Sequence, residues 1–178
     1  PRHSRIIVEA IQSYPTVIEE ALIATSFLSV PSPFVIPEGN EIKARLAHDK
    51  IHHPLGDLVV YLELFHMFQK SDNQDHFCEE HYLELRTMNE VLNTKQQLEQ
   101  IVSQMGIPIG HSGPLKDYLC AVSQGLIQSV CISVGSGRYR SLTSHDIFIH
   151  PGSTMYRKQM RYMVAGEIVR TSKNYART

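Results

Sequence analysis

Eleven residues near the C-terminus interleave cations with aromatic rings: Arg138, Tyr139, Arg140, Tyr156, Arg157, Lys158, Arg161, Tyr162, Lys173, Tyr175 and Arg177. Phosphates call for cations and unstacked bases for flat faces, so this mixture is the chemistry of single-stranded nucleic-acid binding. The same residues would also suit half-buried barrel tyrosines beside a solvated basic face, and residue type alone leaves both open. A second cluster is His76-x-Cys78-x-x-His81. Zinc takes four N or S ligands in a tetrahedron. Three candidates within one short helix, with 76 and 78 on different faces, do not supply one, so Cys78 is expected in the core between exposed histidines. His48, His52 and His53 are expected at a solvated helix end. The chain has no Gly-x4-Gly-Lys-Ser/Thr loop, and Gly135-Ser136-Gly137 is too short for one and reads as a turn. Neither Gly-x-Ser-x-Gly nor His-Glu-x-x-His occurs. The residues therefore predict no catalytic residue, no metal site and no cofactor, and leave a binding surface and a solvated basic face both open.

The elements that must position this surface change character along the chain. Ile7, Ala10, Ile11 and Tyr14 have helical spacing, and Pro15 ends that stripe. Thr16 and Glu19 have capping-box spacing before a face of Ile18, Ala21, Leu22, Thr25 and Leu28. Prolines at 31, 33 and 37 make residues 31–40 an extended connection. A short polar helix is expected over 41–48, and Asp57 can cap the next, whose stripe is Leu58, Tyr61, Leu62, Phe65 and Phe68. Cys78, Tyr82 and Leu85 share one face of a short helix. Thr87 and Glu90 form a second capping box before Val91, Leu92, Lys95, Leu98, Val102 and Met105. Residues 106–114 are the best internal linker, and one more helix carries Leu115, Tyr118, Leu119, Val122 and Leu126. From about residue 129 the period shortens. Segments 130–134, 139–142, 146–150 and 162–169 are β-branched or aromatic and bounded by Gly, Pro and Ser, which predicts strands.

Composition bounds the rest. A chain of 178 residues with 42% hydrophobic and 20% charged residues is globular, neither disordered nor fibrous, and long enough for one domain or two small ones. Its net charge of −1 hides an asymmetry: residues 138–178 hold eight Lys and Arg against Asp146 and Glu167 alone. A basic end behind an acidic body suits a polyanion-binding face, although composition alone favours a charge imbalance with no partner. Three widely spaced cysteines argue against a disulfide framework. There is no stretch of about 18 apolar residues and no signal-peptide core near Arg2, His3 and Arg5. A cytoplasmic location and no membrane partner are the expectations.

Four blocks resemble, in order, the C-terminal region of the DEAH-box RNA helicases, particularly the HrpA type. They are Pro1-Arg-His-Ser-Arg5; Ile23-Ala-Thr-Ser-Phe-Leu-Ser-Val-Pro-Ser-Pro-Phe34 with Pro37; and His53-Pro-Leu-Gly-Asp-Leu58 with Phe77-Cys78 and Leu85-Arg86. The last and most specific joins Ile149-His-Pro-Gly-Ser153 to Val164-Ala-Gly-Glu-Ile-Val-Arg-Thr-Ser-Lys173. The stretch between its two halves is shorter here than is usual in the family, and strongly basic over 155–161. The resemblance implies a mainly α fold with a smaller β part: winged-helix remainder over 1–53, helicase-associated helical bundle over 54–128, and a partial OB-fold barrel over 129–178. It implies an accessory region of an ATP-dependent RNA helicase, with ATP and Mg held by motor domains whose motifs are absent here. The implied partners are single-stranded RNA, the motor domains of the same parent chain and an activating protein. Phosphate contacts fall to Arg138, Arg140, Arg157, Lys158, Arg161 and Lys173, and stacking to Tyr139 and Tyr156. A stand-alone RNA-binding adaptor and a protein-docking module are the rival readings. A truncated barrel would leave an unpaired edge along 162–169.

Overall fold

Apolar residues at helical spacing build the first 125 positions. In the computed structural model, which describes residues 3–178, they form seven α-helices. Pro1 and Arg2, the start of the first family-like block, lie outside the described residues. The helices are α1 (Ser4–Ser13), α2 (Ile18–Leu28), α3 (Glu41–Asp49), α4 (Asp57–Lys70), α5 (Gln74–His81), α6 (Leu85–Gln104) and α7 (Leu115–Gly125). One apolar core runs from Ile6 to Leu126, across residue 53, with Cys78 in it as expected. Helix α2 is its axis, buried on nearly every side rather than along one stripe. Its hydroxyls cost little there, because Thr25, Ser26 and Ser29 donate to the carbonyls of Ala21, Leu22 and Thr25. Phe27 stacks on Tyr61 at 4.5 Å, and the Tyr118 hydroxyl donates to the Leu58 carbonyl at 2.7 Å. Lys95, placed by its spacing on an apolar stripe, is indeed buried. Burial would lower its pKa, but hydrogen bonds to Glu99 (2.8 Å) and Glu19 (3.2 Å) outweigh that and raise it.

Neither capping box forms. Val17 and Glu84 occupy the N-cap positions, and Thr87 lies inside α6. Residues 106–114, expected as a linker, instead pack on the start of α2. There the Glu19 amide donates to the Gly110 carbonyl and the Ser112 amide to Glu20 Oε1. A tertiary partner has taken the place of a local one. The histidines near 50 are likewise packed, not all solvated: His48 donates to the Tyr82 carbonyl and meets the Phe34 ring edge-on.

Beyond a short 3-10 turn at Ile127–Ser129 the chain forms strands β1 (Val130–Gly135), β2 (Arg138–Arg140), β3 (Ile147–Ile149), β4 (Tyr162–Val164), β5 (Glu167–Arg170) and β6 (Asn174–Arg177). The sheet order is β4-β1-β2-β3-β6-β5, antiparallel except for the β3–β6 pair. Gly135-Ser136-Gly137 is the predicted turn, with positive φ at all three residues. The sheet curls around a second small core of Cys131, Tyr139, Ile147, Met163 and Ala176. A helical region followed by a curled half-barrel is the expected helicase-associated plus partial OB architecture. The edge expected along 162–169 is present but divided: β4 and β5 are the two outer strands of the sheet, each with one side unpaired. Tyr162–Val164 pairs with β1 and Glu167–Arg170 with β6, because the chain bends at Ala165-Gly166 and uses both ends of one segment. Among the described residues no helix is long and apolar enough to cross a membrane.

Candidate nucleic-acid interface

Strand alternation decides which side chains the sheet offers. Ile147 and Ile149 are buried, so Phe148 between them faces outward. The parallel register sets Phe148 opposite Tyr175, with ring centroids 6.4 Å apart and tilted by 49°. Lys173 precedes β6 and holds its ammonium 4.9 Å from the Phe148 ring centre. On β2 the buried residue is Tyr139, which turns Arg138 and Arg140 outward.

The loop after β3 supplies the other wall. Its Ser153 hydroxyl donates to the Thr178 carbonyl at 2.8 Å, and Ser153–Met155 are buried. Beyond this anchor Tyr156, Arg157 and Lys158 are exposed, with the Arg157 guanidinium 5.4 Å from the Tyr156 ring. Together with Phe148, Lys173 and Tyr175 they line a cleft of about 380 Å³. Five of the eight predicted binding residues thus border one cleft: Tyr139, Tyr156, Arg157, Lys158 and Lys173. Arg138 lies 3.7 Å from Asp146, Arg140 faces out from β2, and Arg161 sits over the Tyr162 ring at 5.3 Å, none of them lining the cleft. Tyr139 is a correction. It borders the cleft but is 2% exposed in the core of the sheet, and its hydroxyl accepts the Met160 amide, so its ring is packed rather than free to stack on a base. Phe148 was missed, although an aromatic flanked by two isoleucines was a legible signal of an outward ring. Tyr175 stood in the interleaved series but not among the stacking residues.

The residue that follows Ser153 of the last family-like block has a structural task. Thr154 bridges the sheet to the helices: its amide donates to Asp57 Oδ1 at 2.9 Å, and its hydroxyl exchanges hydrogen bonds with the backbone of His53. Asp57 is therefore not a helix cap; Gly56 holds that position. Burial holds the Asp57 carboxyl above its ordinary range, despite hydrogen bonds from Thr154 and Ser153. Gly56, at φ +111°, passes so close to Thr178 that a Cβ would lie 3.2 Å from its carbonyl carbon. Burial pushes the Cys78 and Cys131 thiols up to about 11, so neither is a thiolate at neutral pH. Among the described residues no three His, Cys, Asp or Glu side chains form a metal-holding group.

Two family models match this chain: "Helicase associated domain (HA2), ratchet-like" over residues 1–80 and "Oligonucleotide/oligosaccharide-binding (OB)-fold" over residues 118–178. The chain is 38% identical, over its whole length, to the ATP-dependent RNA helicase HrpA of Borreliella burgdorferi. It belongs to the DEAH-box RNA helicase family. Similarity extends to DHX33 of Drosophila melanogaster, an ATP-dependent RNA helicase (27% over 99% of the chain), and to human DHX35, a probable one (26% over 89%). The chain spans only 22–26% of the length of these helicases. Its place in them is their helicase-associated and OB-fold region. The first family match crosses residue 53 just as the helical core does, and the second starts within α7.

Proposed function

We propose that this chain is the C-terminal accessory region of an ATP-dependent RNA helicase, holding single-stranded RNA while a motor elsewhere in the parent protein advances along it. The cleft carries this reading. Two segments distant in sequence bring Tyr156, Arg157, Lys158 and Lys173 together beside strand β3. OB folds bind oligonucleotides on the face of their second and third strands, flanked by the loops between strands one and two and between strands four and five. Arg138, Arg140 and Arg161 extend the phosphate contacts beyond the cleft, and Tyr156 offers a stacking face. The helical and OB parts close over the motor to leave a channel for one strand.

No residue of this chain is catalytic in this reading. ATP and Mg belong to the motor domains, because the residues present do not fit a nucleoside triphosphate: the phosphate loop and the helix that follows it are missing. The partners are single-stranded RNA, the motor domains of the same parent chain and an activating protein, in a cytoplasmic setting without a membrane. Divisions at 53 and 128 remain part of the proposal, the first as a division of family segments, since packing runs across it.

The test is titration of a fluorescent single-stranded RNA at several salt concentrations. Each phosphate contact adds about 0.7 to the salt slope, so replacing Arg157, Lys158 and Lys173 together by Ala should flatten it by roughly 2. A triple variant that binds like the unsubstituted chain at every salt would overturn the reading and favour the protein-docking one.

A further inference from the structure

The geometry points to the outward face of Phe148, walled by Tyr175 and Tyr156, as a seat for one unpaired nucleotide of RNA, with Lys173 as its gate. This rests on the RNA-binding reading above and adds to it a residue and a mode of recognition. Three observations carry it. Phe148 is held in place from both sides, since its neighbours Ile147 and Ile149 are core residues, so its ring is a rigid platform. The Lys173 ammonium lies over that ring at 4.9 Å, so a flexible cation meets the face that a base would occupy. The cleft's volume, about 380 Å³, is at the small end of small-ligand pockets, which suits one nucleotide.

The sequence of events follows from the strengths involved. A cation over an exposed phenyl ring is worth less than a base stacked on it, so an incoming base displaces the ammonium. Lys173 swings outward, and there it meets the phosphate that the base brings with it. Arg157 lines the same cleft and contacts the next phosphate. Every base has a flat face, so stacking makes the seat tolerant of sequence and dependent on the strand being unpaired.

The chain contains no tryptophan, so Phe148→Trp puts a lone indole reporter on the platform. A second reporter, Leu142→Trp, sits at an exposed position away from the cleft. Titrated with oligouridylate, the first should lose fluorescence in step with binding read by anisotropy of labelled RNA, and the second should not. Phe148→Ala should weaken binding roughly 5- to 150-fold with the salt slope unchanged, the range expected for losing one stacked base. Phe148→Leu, which keeps the apolar volume but removes the flat face, should show the same loss if the fold is intact by circular dichroism. RNA that binds without quenching the indole at 148 would overturn the seat and leave the RNA-binding reading standing. Absence of RNA binding by the unsubstituted chain would overturn both.

Discussion

At the scale of single residues, Asp57 shows how a family-like block can be structural. Its carboxylate was legible as a helix cap, yet it accepts from the Thr154 amide on the far side of the helix–sheet junction. Asp57→Ala would strand that amide, at a cost of about 1–3 kcal/mol, whereas Asp57→Asn retains an acceptor oxygen. The pH dependence separates charge from hydrogen bond. Because burial raises the folded pKa above the ordinary 3.8, the folded chain holds the proton more tightly than the unfolded one. Stability therefore falls as pH rises from 3.8 through the folded value, and levels once both states are ionised. Urea midpoints should accordingly show Asp57→Asn gaining on the unsubstituted chain as pH rises through this window. A difference constant from pH 3 to pH 7 would refute the assignment. Tyr139 teaches the complementary lesson: an aromatic between two arginines read as a stacking ring, but strand parity turned it inward and the arginines outward.

At the scale of elements, helices were legible because apolar spacing has a period, and their ends were less so because caps compete with tertiary partners. Thr16 and Glu19 had the spacing of a box, but Lys95 took the Glu19 carboxylate and the 106–114 loop took its amide. The closest helix approach was not legible at all. Helix α7 ends against α1 at Gly125, where an added Cβ would lie 2.6 Å from the Ile6 backbone. That atom cannot move aside as a flexible side chain would. Gly125→Ala should cost about 1–3 kcal/mol or more by forcing α1 and α7 apart, read as a lower urea midpoint with an unchanged m-value. The same substitution at Gly39, which has nothing within 4 Å but a φ of +81°, would test strain alone.

At the scale of the whole molecule, one bend alters the expected behaviour in solution. With a truncated barrel, the 162–169 segment would be a long open edge and an invitation to dimers. Instead its halves pair with β1 and β6, leaving outer edges of only three and four residues. Edges that short are poor templates for another chain. Light scattering on the 178-residue chain should give the monomer mass of 20.2 kDa, and a concentration-dependent dimer would restore the open-edge view.

What the sequence determined by itself were the properties that depend on neighbours a few positions apart: helices from period 3.6, the switch to strands near 129, the Gly-Ser-Gly turn, and a basic end rich in rings. Only the tertiary structure decided which of those rings face outward. Strand β6 went unread because Asn174–Arg177 is short and lacks a β-branched run. Its parallel pairing with β3 sets Phe148 beside Tyr175, residues joined by no local pattern. Side-chain direction in a strand alternates with every residue, so register fixes which face looks outward, and register is set by pairing between distant segments.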